Sequence, residues 1–391
     1  MAYAPASRPA PTYREPSSDS GALIKIVSLF LGIAVGVLIF VAVWMGASAQ
    51  NARDDARTAA AHAGGSSVAA MPGMSASAGA ATASGDLRSY AGAAPANADQ
   101  VAAAHAPYPA ALPAAPAGPV ANVHLVLKDV TVQIAPGIKY AAWAWAGGAP
   151  GPVIHVRQGQ TVHVTLTNEG AIPHSIDFHA ARVAPNVAFA DVAPGKSFSF
   201  SFKASDAGVF MYHCGTKPVL MHIANGMYGA IVVDPATPLP RADKQYVLVA
   251  SEWYLSSPGL AKPAQFDMAK AHARMPDWMT FNGYAGQYVK HPLTANPGDT
   301  VRFWIVDAGP SIDTDFHVVG TLLNRAWVDA DLTHALRNVQ TVTVPAGGGG
   351  VFDLKIDKPG LYPFVSHAFA SVDMGQVGLL NVGNVQGTMS H

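Results

Sequence analysis

The only cysteine of the chain, Cys214, lies in a short segment that also contains a histidine and a methionine. His222 follows it by eight residues and Met227 by a further five, and another histidine, His174, lies forty residues upstream. One thiolate, two imidazoles and a weakly bound thioether are the ligand set of an electron-transfer copper site. We therefore predict that these four residues bind one such copper, termed type 1.

Three methionines are alternatives for the thioether position. Met227 lies beyond the loop, at the start of the last strand of its domain, so the sandwich can direct it inward. Met211 and Met221 are predicted to be core residues. A lone buried cysteine is often only a small hydrophobic residue, but four ligand types at these spacings favour a metal site.

A second pair of histidines lies beside the first group. His179 follows His174 by five residues, and His213 directly precedes Cys214. Along a strand, residues at an odd spacing point to opposite faces. We therefore predict that His179 and His213 face away from the type 1 site and share a second copper, for which they supply only two ligands.

The elements that position these residues are predicted to be strands. Residues 161–168 and 197–203 alternate with period two, and short runs are separated by Gly and Pro, as in all-β sandwiches. The only candidate helix of this region is 264–274. An internal repeat indicates two β domains, 122–237 and 244–384. Its matching segments are 159–162 with 298–301, 207–213 with 359–367, and 226–233 with 373–380.

The N-terminal part of the chain has a different composition. Residues 26–46 are an uninterrupted apolar run of 21 residues, which as a helix rises about 31 Å and spans a bilayer. We predict a cytoplasmic tail (1–21), a membrane helix (22–46) and a flexible tether rich in Ala, Gly and Pro (47–121). The body is then anchored by a single span on the periplasmic or extracellular side. Ala47-Ser48-Ala49 leaves a cleaved signal peptide as the alternative.

Charge and cysteine content argue against a nucleic-acid-binding protein and against a disulfide-bonded fold. Charged residues are 13% of the chain and the net charge is -1, so no basic field for nucleic acid is present. One cysteine excludes an internal disulfide.

The chain resembles the two-domain copper-containing nitrite reductases of the multicopper oxidase and cupredoxin superfamily. The resemblance is carried by Pro173-His174-Ser175-Ile176-Asp177-Phe178-His179-Ala180-Ala181, Tyr212-His213-Cys214, His222 with Met227, Phe316-His317-Val318-Val319 and Val365-Ser366-His367. It implies two tandem cupredoxin-like Greek-key β-sandwiches in a homotrimer. It also implies one type 1 copper and one catalytic copper, termed type 2, per subunit. The type 2 copper is implied to be held by His179 and His213 of one subunit and by His367 of a neighbouring subunit.

The same resemblance implies the chemistry. Reduction of nitrite to nitric oxide and water takes one electron and two protons, and Asp177 and His317 are the pair implied to deliver the protons. Val319 is implied to form an apolar wall of the pocket. Electrons are implied to come from a cupredoxin or a cytochrome c and to pass through His213-Cys214.

Two other functions remain as alternatives. A laccase-like oxidase needs a trinuclear cluster built from His-x-His pairs, and the chain contains no His-x-His. A copper oxidase acting on another small molecule stays open. A non-catalytic electron carrier or copper-binding cupredoxin needs the Cys214 site, but it does not need His179, His213 and His367 together.

Overall fold

The computed structural model describes residues 97–256 and 263–387. The predicted N-terminal tail, the predicted membrane helix and the predicted tether as far as residue 96 lie outside the described residues. Among the described residues, no helix is both long enough and apolar enough to cross a membrane. The prediction of a mainly β fold is confirmed, because most regular structure in this part of the chain is strand.

The first sandwich contains eight strands in two sheets, with the orders β2-β1-β4-β6 and β3-β8-β7-β5. These strands are β1 (Val120–Ala135), β2 (Ile138–Trp145), β3 (Ile154–Arg157), β4 (Thr161–Asn168), β5 (Asp177–Phe178), β6 (Ser197–Lys203), β7 (Gly208–His213) and β8 (Tyr228–Asp234). Two short helices accompany them, α2 (Pro185–Ala188) and α3 (Val219–Ala224). A further helix, α1 (Ala98–Ala104), precedes β1, and its Asp99 pairs with Lys290 of the second sandwich at 2.8 Å.

The second sandwich contains eleven strands, with the sheet orders β10-β9-β12-β17-β14-β15 and β11-β19-β18-β13-β16. They are β9 (Lys244–Trp253), β10 (Trp278–Phe281), β11 (Leu293–Ala295), β12 (Thr300–Asp307), β13 (Thr314–Val318), β14 (Leu323–Val328), β15 (Asp331–Val339), β16 (Thr341–Val344), β17 (Gly349–Lys355), β18 (Gly360–Ser366) and β19 (Val377–Val382). The helices here are α4 (Met268–His272), α5 (Gln287–Lys290) and α6 (Phe369–Asp373).

The strand pairings follow the repeat predicted from the sequence. In the first sandwich β1 pairs in parallel with β4, and β7 pairs antiparallel with β8. The second sandwich has the same relations between β9 and β12 and between β18 and β19. The exact domain boundaries stay a prediction.

Side chains in β4 alternate between buried and exposed positions, as expected for a strand with one face towards solvent. Val162, Val164 and Leu166 are fully buried in the core of the first sandwich, whereas Thr161 and His163 are exposed. One face therefore packs on the core and the other meets solvent.

Strands at the junction of the two sandwiches are buried on both faces. In β8, Ile231 and Val233 belong to the core of the first sandwich, while Ala230 and Val232 pack against the second. Trp304 of β12 lies in the same cluster between the sandwiches. Because a fully buried valine such as Val232 contributes about 1.5–3 kcal/mol on burial, this apolar junction holds the sandwiches together.

The last part of the predicted tether is not a free chain. The His105 ring stacks on Tyr284, with ring centroids 3.8 Å apart. The Tyr108 hydroxyl donates to the Gly151 carbonyl at 2.7 Å, and the Tyr108 amide donates to the Gln287 side chain at 2.7 Å. From residue 97 onward, the segment predicted as a tether therefore contacts both sandwiches through isolated aromatic residues that follow no periodic pattern.

The helix predicted at 264–274 is much shorter in the structure. Only α4 is helical there, and its first turn is capped by the Asp267 side chain, which accepts from the Lys270 amide at 3.0 Å.

Candidate metal centres

Three of the four predicted type 1 ligands meet inside the first sandwich. Cys214 follows β7, His222 lies in α3, and His174 lies in the loop before β5. The Cys214 Sγ is 3.3 Å from Nδ1 of His222 and 3.9 Å from Nδ1 of His174, and the two Nδ1 atoms are 3.0 Å apart. All three side chains are buried, so they form a compact set of two nitrogens and one sulfur.

The fourth predicted ligand, Met227, is fully buried in the same core cluster as Cys214. Its backbone carbonyl accepts from the Cys214 amide at 3.1 Å, and its amide donates to the His222 carbonyl at 3.3 Å. Met211 instead belongs to the cluster between the sandwiches. The structure therefore favours Met227 over Met211 for the thioether position, which stays a prediction.

Burial sets the protonation of this group. It lowers the pKa of His174 to about 3, where the nearby His222 adds to the effect, and it lowers the pKa of His222 to about 4. Burial also raises the pKa of the Cys214 thiol. The imidazoles are therefore neutral at neutral pH, and a soft metal ion displaces the thiol proton when it binds.

The lowered histidine pKa values predict an acid-sensitive copper-free protein. A histidine whose pKa is lower in the folded than in the unfolded state stabilises the fold above its ordinary pKa of 6.5, and that stabilisation is lost as the pH falls towards about 4. We expect the urea concentration at the unfolding midpoint of the copper-free protein to fall as the pH is lowered from 6.5 to about 4. His222→Leu removes one titrating group and should reduce the slope. His163→Gln, at an exposed histidine of β4, serves as control, and an equal slope in all three proteins would contradict the explanation.

Two residues beside this group were not predicted from the sequence. The half-buried Trp143 packs against the rings of His174 and His222, with centroids 5.2 and 4.8 Å away. The Ser175 amide donates to the Cys214 Sγ at 3.4 Å. Trp143 carries no ligand chemistry and lies in an ordinary strand pattern, so no signal singles it out, whereas Ser175 is identifiable as the neighbour of a predicted ligand.

A second group lies on the other side of β7. The Nε2 atoms of His179 and His213 are 3.0 Å apart, and the Asp177 carboxylate is 3.9 Å from Nε2 of His213. Asp177 is the pairing partner of His213 between β5 and β7, which explains why their side chains are neighbours. The two predicted histidines therefore meet, facing away from Cys214, together with the predicted proton donor Asp177.

Both histidines of this group are held in the same tautomer. Nδ1 of His213 donates to the Cys214 carbonyl and Nδ1 of His179 donates to the Gly347 carbonyl, each at 2.9 Å. Because a carbonyl only accepts, each Nδ1 carries the hydrogen and each Nε2 keeps its lone pair for a metal. Burial also lowers the pKa of His213, which keeps that ring neutral.

The remaining predicted residues form a separate pair on the second sandwich. The rings of His317 and His367 lie 5.2 Å apart. His317 pairs with Val365 between β13 and β18, and the exposed His367 directly follows β18. Nδ1 of His317 donates to the Gln340 carbonyl at 2.7 Å, so its Nε2 is also free. Within the described ranges, neither histidine joins the Asp177 group, whose ligand atoms lie within 4.8 Å of one another.

The chain matches proteins of known identity over both sandwiches. Residues 127–238 match the family description "Multicopper oxidase". The copper-containing nitrite reductase of Neisseria gonorrhoeae is 39% identical over 267 residues, which cover 67% of this chain and 68% of that protein. This chain belongs to the copper-containing nitrite reductase family.

Solved structures of the family share the fold. The copper nitrite reductase of Nitrosomonas europaea superposes with a TM-score of 0.64 at 32% identity, covering 68% of this chain and 94% of that one. The copper-containing nitrite reductase of Thermus scotoductus superposes with a TM-score of 0.62 at 26% identity, covering 69% of this chain and 65% of that one. The predicted cupredoxin-like fold is the fold of this family.

Proposed function

We propose that this protein reduces nitrite to nitric oxide with copper as its redox metal. Family membership supports the reaction. The observation that carries the proposal is the pair of ligand groups on opposite sides of β7, because adjacent residues, Cys214 and His213, connect them. One group is enclosed and suits electron transfer. The other includes the partly exposed carboxylate of Asp177, 32% accessible, and suits a substrate.

The ligand types in each group fit copper in different roles. His174, Cys214, His222 and Met227 provide the soft thiolate set of the type 1 copper. His179 and His213, with His367 of the neighbouring subunit, provide three imidazoles for the type 2 copper. The backbone between Cys214 and His213 is the shortest covalent connection between the groups, and it serves as the electron path.

A homotrimer completes the second group. The described part of one chain brings only two imidazoles to Asp177, while His317 and His367 stand together elsewhere on the surface. Phe369 packs against His367 and is 56% exposed, as expected for a residue that another subunit covers. A neighbouring copy therefore supplies His367 as ligand and His317 beside the substrate.

The protein side chains handle the protons of the reaction. Nitrite takes up one electron and two protons and yields nitric oxide and one water. When bound, copper supplies the one-electron chemistry and a Lewis acid for the anion. Asp177 holds and delivers one proton from its carboxyl group. His317 first takes up a second hydrogen on Nε2, while its Nδ1–H stays on the Gln340 carbonyl, and it delivers the other proton from Nε2. Val319, half-buried directly after β13, forms an apolar wall beside them.

The electron donor and the location complete the proposal. A small cupredoxin or a cytochrome c supplies electrons to the type 1 group. The apolar segment 22–46 anchors the chain by a single span, with the catalytic body on the periplasmic or extracellular side.

Nitric oxide formation tests the proposal. We expect copper-loaded protein with an artificial reductant to convert nitrite to nitric oxide, and copper-depleted protein to be inactive. Oxygen consumption by fully loaded protein that forms no nitric oxide from nitrite would instead favour a copper oxidase.

A further inference from the structure

A run of four glycines in the second sandwich, Gly347–Gly350, reaches across to the second ligand group in the first. The Gly347 carbonyl accepts from Nδ1 of His179 at 2.9 Å, a contact between residues 168 positions apart. A backbone carbonyl of the second sandwich therefore holds His179, a predicted copper ligand of the first sandwich.

The glycines are required by geometry at this crossing. Gly347 has φ +84°, where a side chain strains the backbone, and a Cβ there would lie 3.4 Å from Cε1 of His179. A Cβ on Gly349 would overlap with the carbonyl oxygen of Val209 in β7, the strand that ends at His213. The run therefore packs directly on the strand and the ring that build the group.

Backbone hydrogen bonds hold the loop rigidly. The Gly347 amide donates to the Asp307 carbonyl at 2.7 Å, and the Asp307 amide donates to the Gly348 carbonyl at 3.1 Å. The Ala346 amide donates to the Asp313 carboxylate at 2.9 Å. The Gly347 carbonyl is thus fixed by the second sandwich before any metal binds.

We infer that Gly347 is a positioning residue for the type 2 copper. Its carbonyl keeps the hydrogen of His179 on Nδ1 and directs Nε2 towards His213, so the second sandwich controls the ligand geometry of the first. This inference rests on the proposed role of His179 as a copper ligand. Loss of such an outer hydrogen bond weakens metal binding about 10–100-fold in comparable sites.

Gly347→Ala in the full, copper-loaded chain tests the inference. The added Cβ is disfavoured at this φ, so the loop relaxes and its carbonyl leaves Nδ1 of His179. We expect the type 2 copper to be lost at least about tenfold more readily to a chelator, with a changed type 2 electron paramagnetic resonance signal and unchanged type 1 absorbance. Gly298→Ala is the matched control, because Gly298 has φ +86° and open space around it.

A second experiment removes the hydrogen bond directly. Replacing His179 with Nδ1-methylhistidine keeps Nε2 but removes the N–H that faces Gly347, and we expect the same loss of type 2 copper. The same replacement at the exposed His163, whose Nδ1 contacts Ser201, is the control.

The outcomes separate this inference from the proposed function. Equal copper retention in Gly347→Ala and Gly298→Ala, or wild-type retention with the methylated residue at position 179, would overturn the inference alone. A wild-type protein that binds only the type 1 copper would overturn the proposed function and the inference together.

Discussion

Replacing His367 with alanine should remove the type 2 copper and nitrite turnover while the coloured type 1 centre stays intact. His367 is exposed and lies apart from both ligand groups of its own chain, so its loss leaves the core around Cys214 untouched. A metal contributes several kcal/mol to stabilising charge in the transition state, so turnover should fall by about a hundredfold or more. Copper content and the type 2 resonance signal measure the loss of the second copper, visible absorbance measures the retained type 1 centre, and nitric oxide formation measures turnover.

The control for this variant is another exposed histidine of the second sandwich. His334 in β15 is 85% exposed and pairs with Asp331, so His334→Ala should keep both coppers. Loss of the thiolate colour in His367→Ala would show that the division of the histidines between the two coppers is wrong.

Replacing Asp177 with asparagine should keep both coppers and remove most of the turnover. Asparagine has the size of aspartate and can still accept a hydrogen bond, but it cannot deliver the proton that nitrite needs. Loss of a positioned general acid costs about 10²–10⁴-fold in rate. Steady-state nitric oxide formation, measured on samples with equal type 1 and type 2 copper signals, gives this number.

Asp206 provides the comparison for Asp177. It lies in the same sandwich and its side chain is 29% exposed, against 32% for Asp177, but it pairs with Arg182. Asp206→Asn should therefore turn over nitrite at the wild-type rate. Wild-type turnover of Asp177→Asn would remove this carboxylate from the mechanism.

The sequence contained enough information to predict which residues gather in the first sandwich. Cys214 and His213 are adjacent on one strand end, so their side chains must point to opposite faces, and the structure places them in different groups. His174 and His179 also belong to different groups, but both lie outside the two-residue strand β5, so the course of the loop separates them and not strand alternation. The position of Asp177 then follows from the pairing of β5 with β7.

The contacts that were missed join distant segments through groups with no ligand chemistry. The Gly347 carbonyl is a backbone atom, and its partner His179 is 168 positions away. Trp143 lies in a regular strand, and its contacts with His174 and His222 join segments that are distant in the sequence. His105 and Tyr108 dock a segment whose composition is that of a tether. Periodicity reports which face of an element is buried, not which distant atom meets it.

An anaerobic single-turnover experiment with ¹⁵N-labelled nitrite tests the central claim most directly. The copper-loaded protein is reduced, excess reductant is removed, and labelled nitrite is added while type 1 absorbance and released gas are followed together. Copper-dependent nitrite reduction predicts that the thiolate absorbance returns and that labelled nitric oxide appears in proportion to the electrons lost. Reoxidation of the type 1 centre without labelled nitric oxide, or no reoxidation by nitrite in protein that carries both coppers, would contradict it.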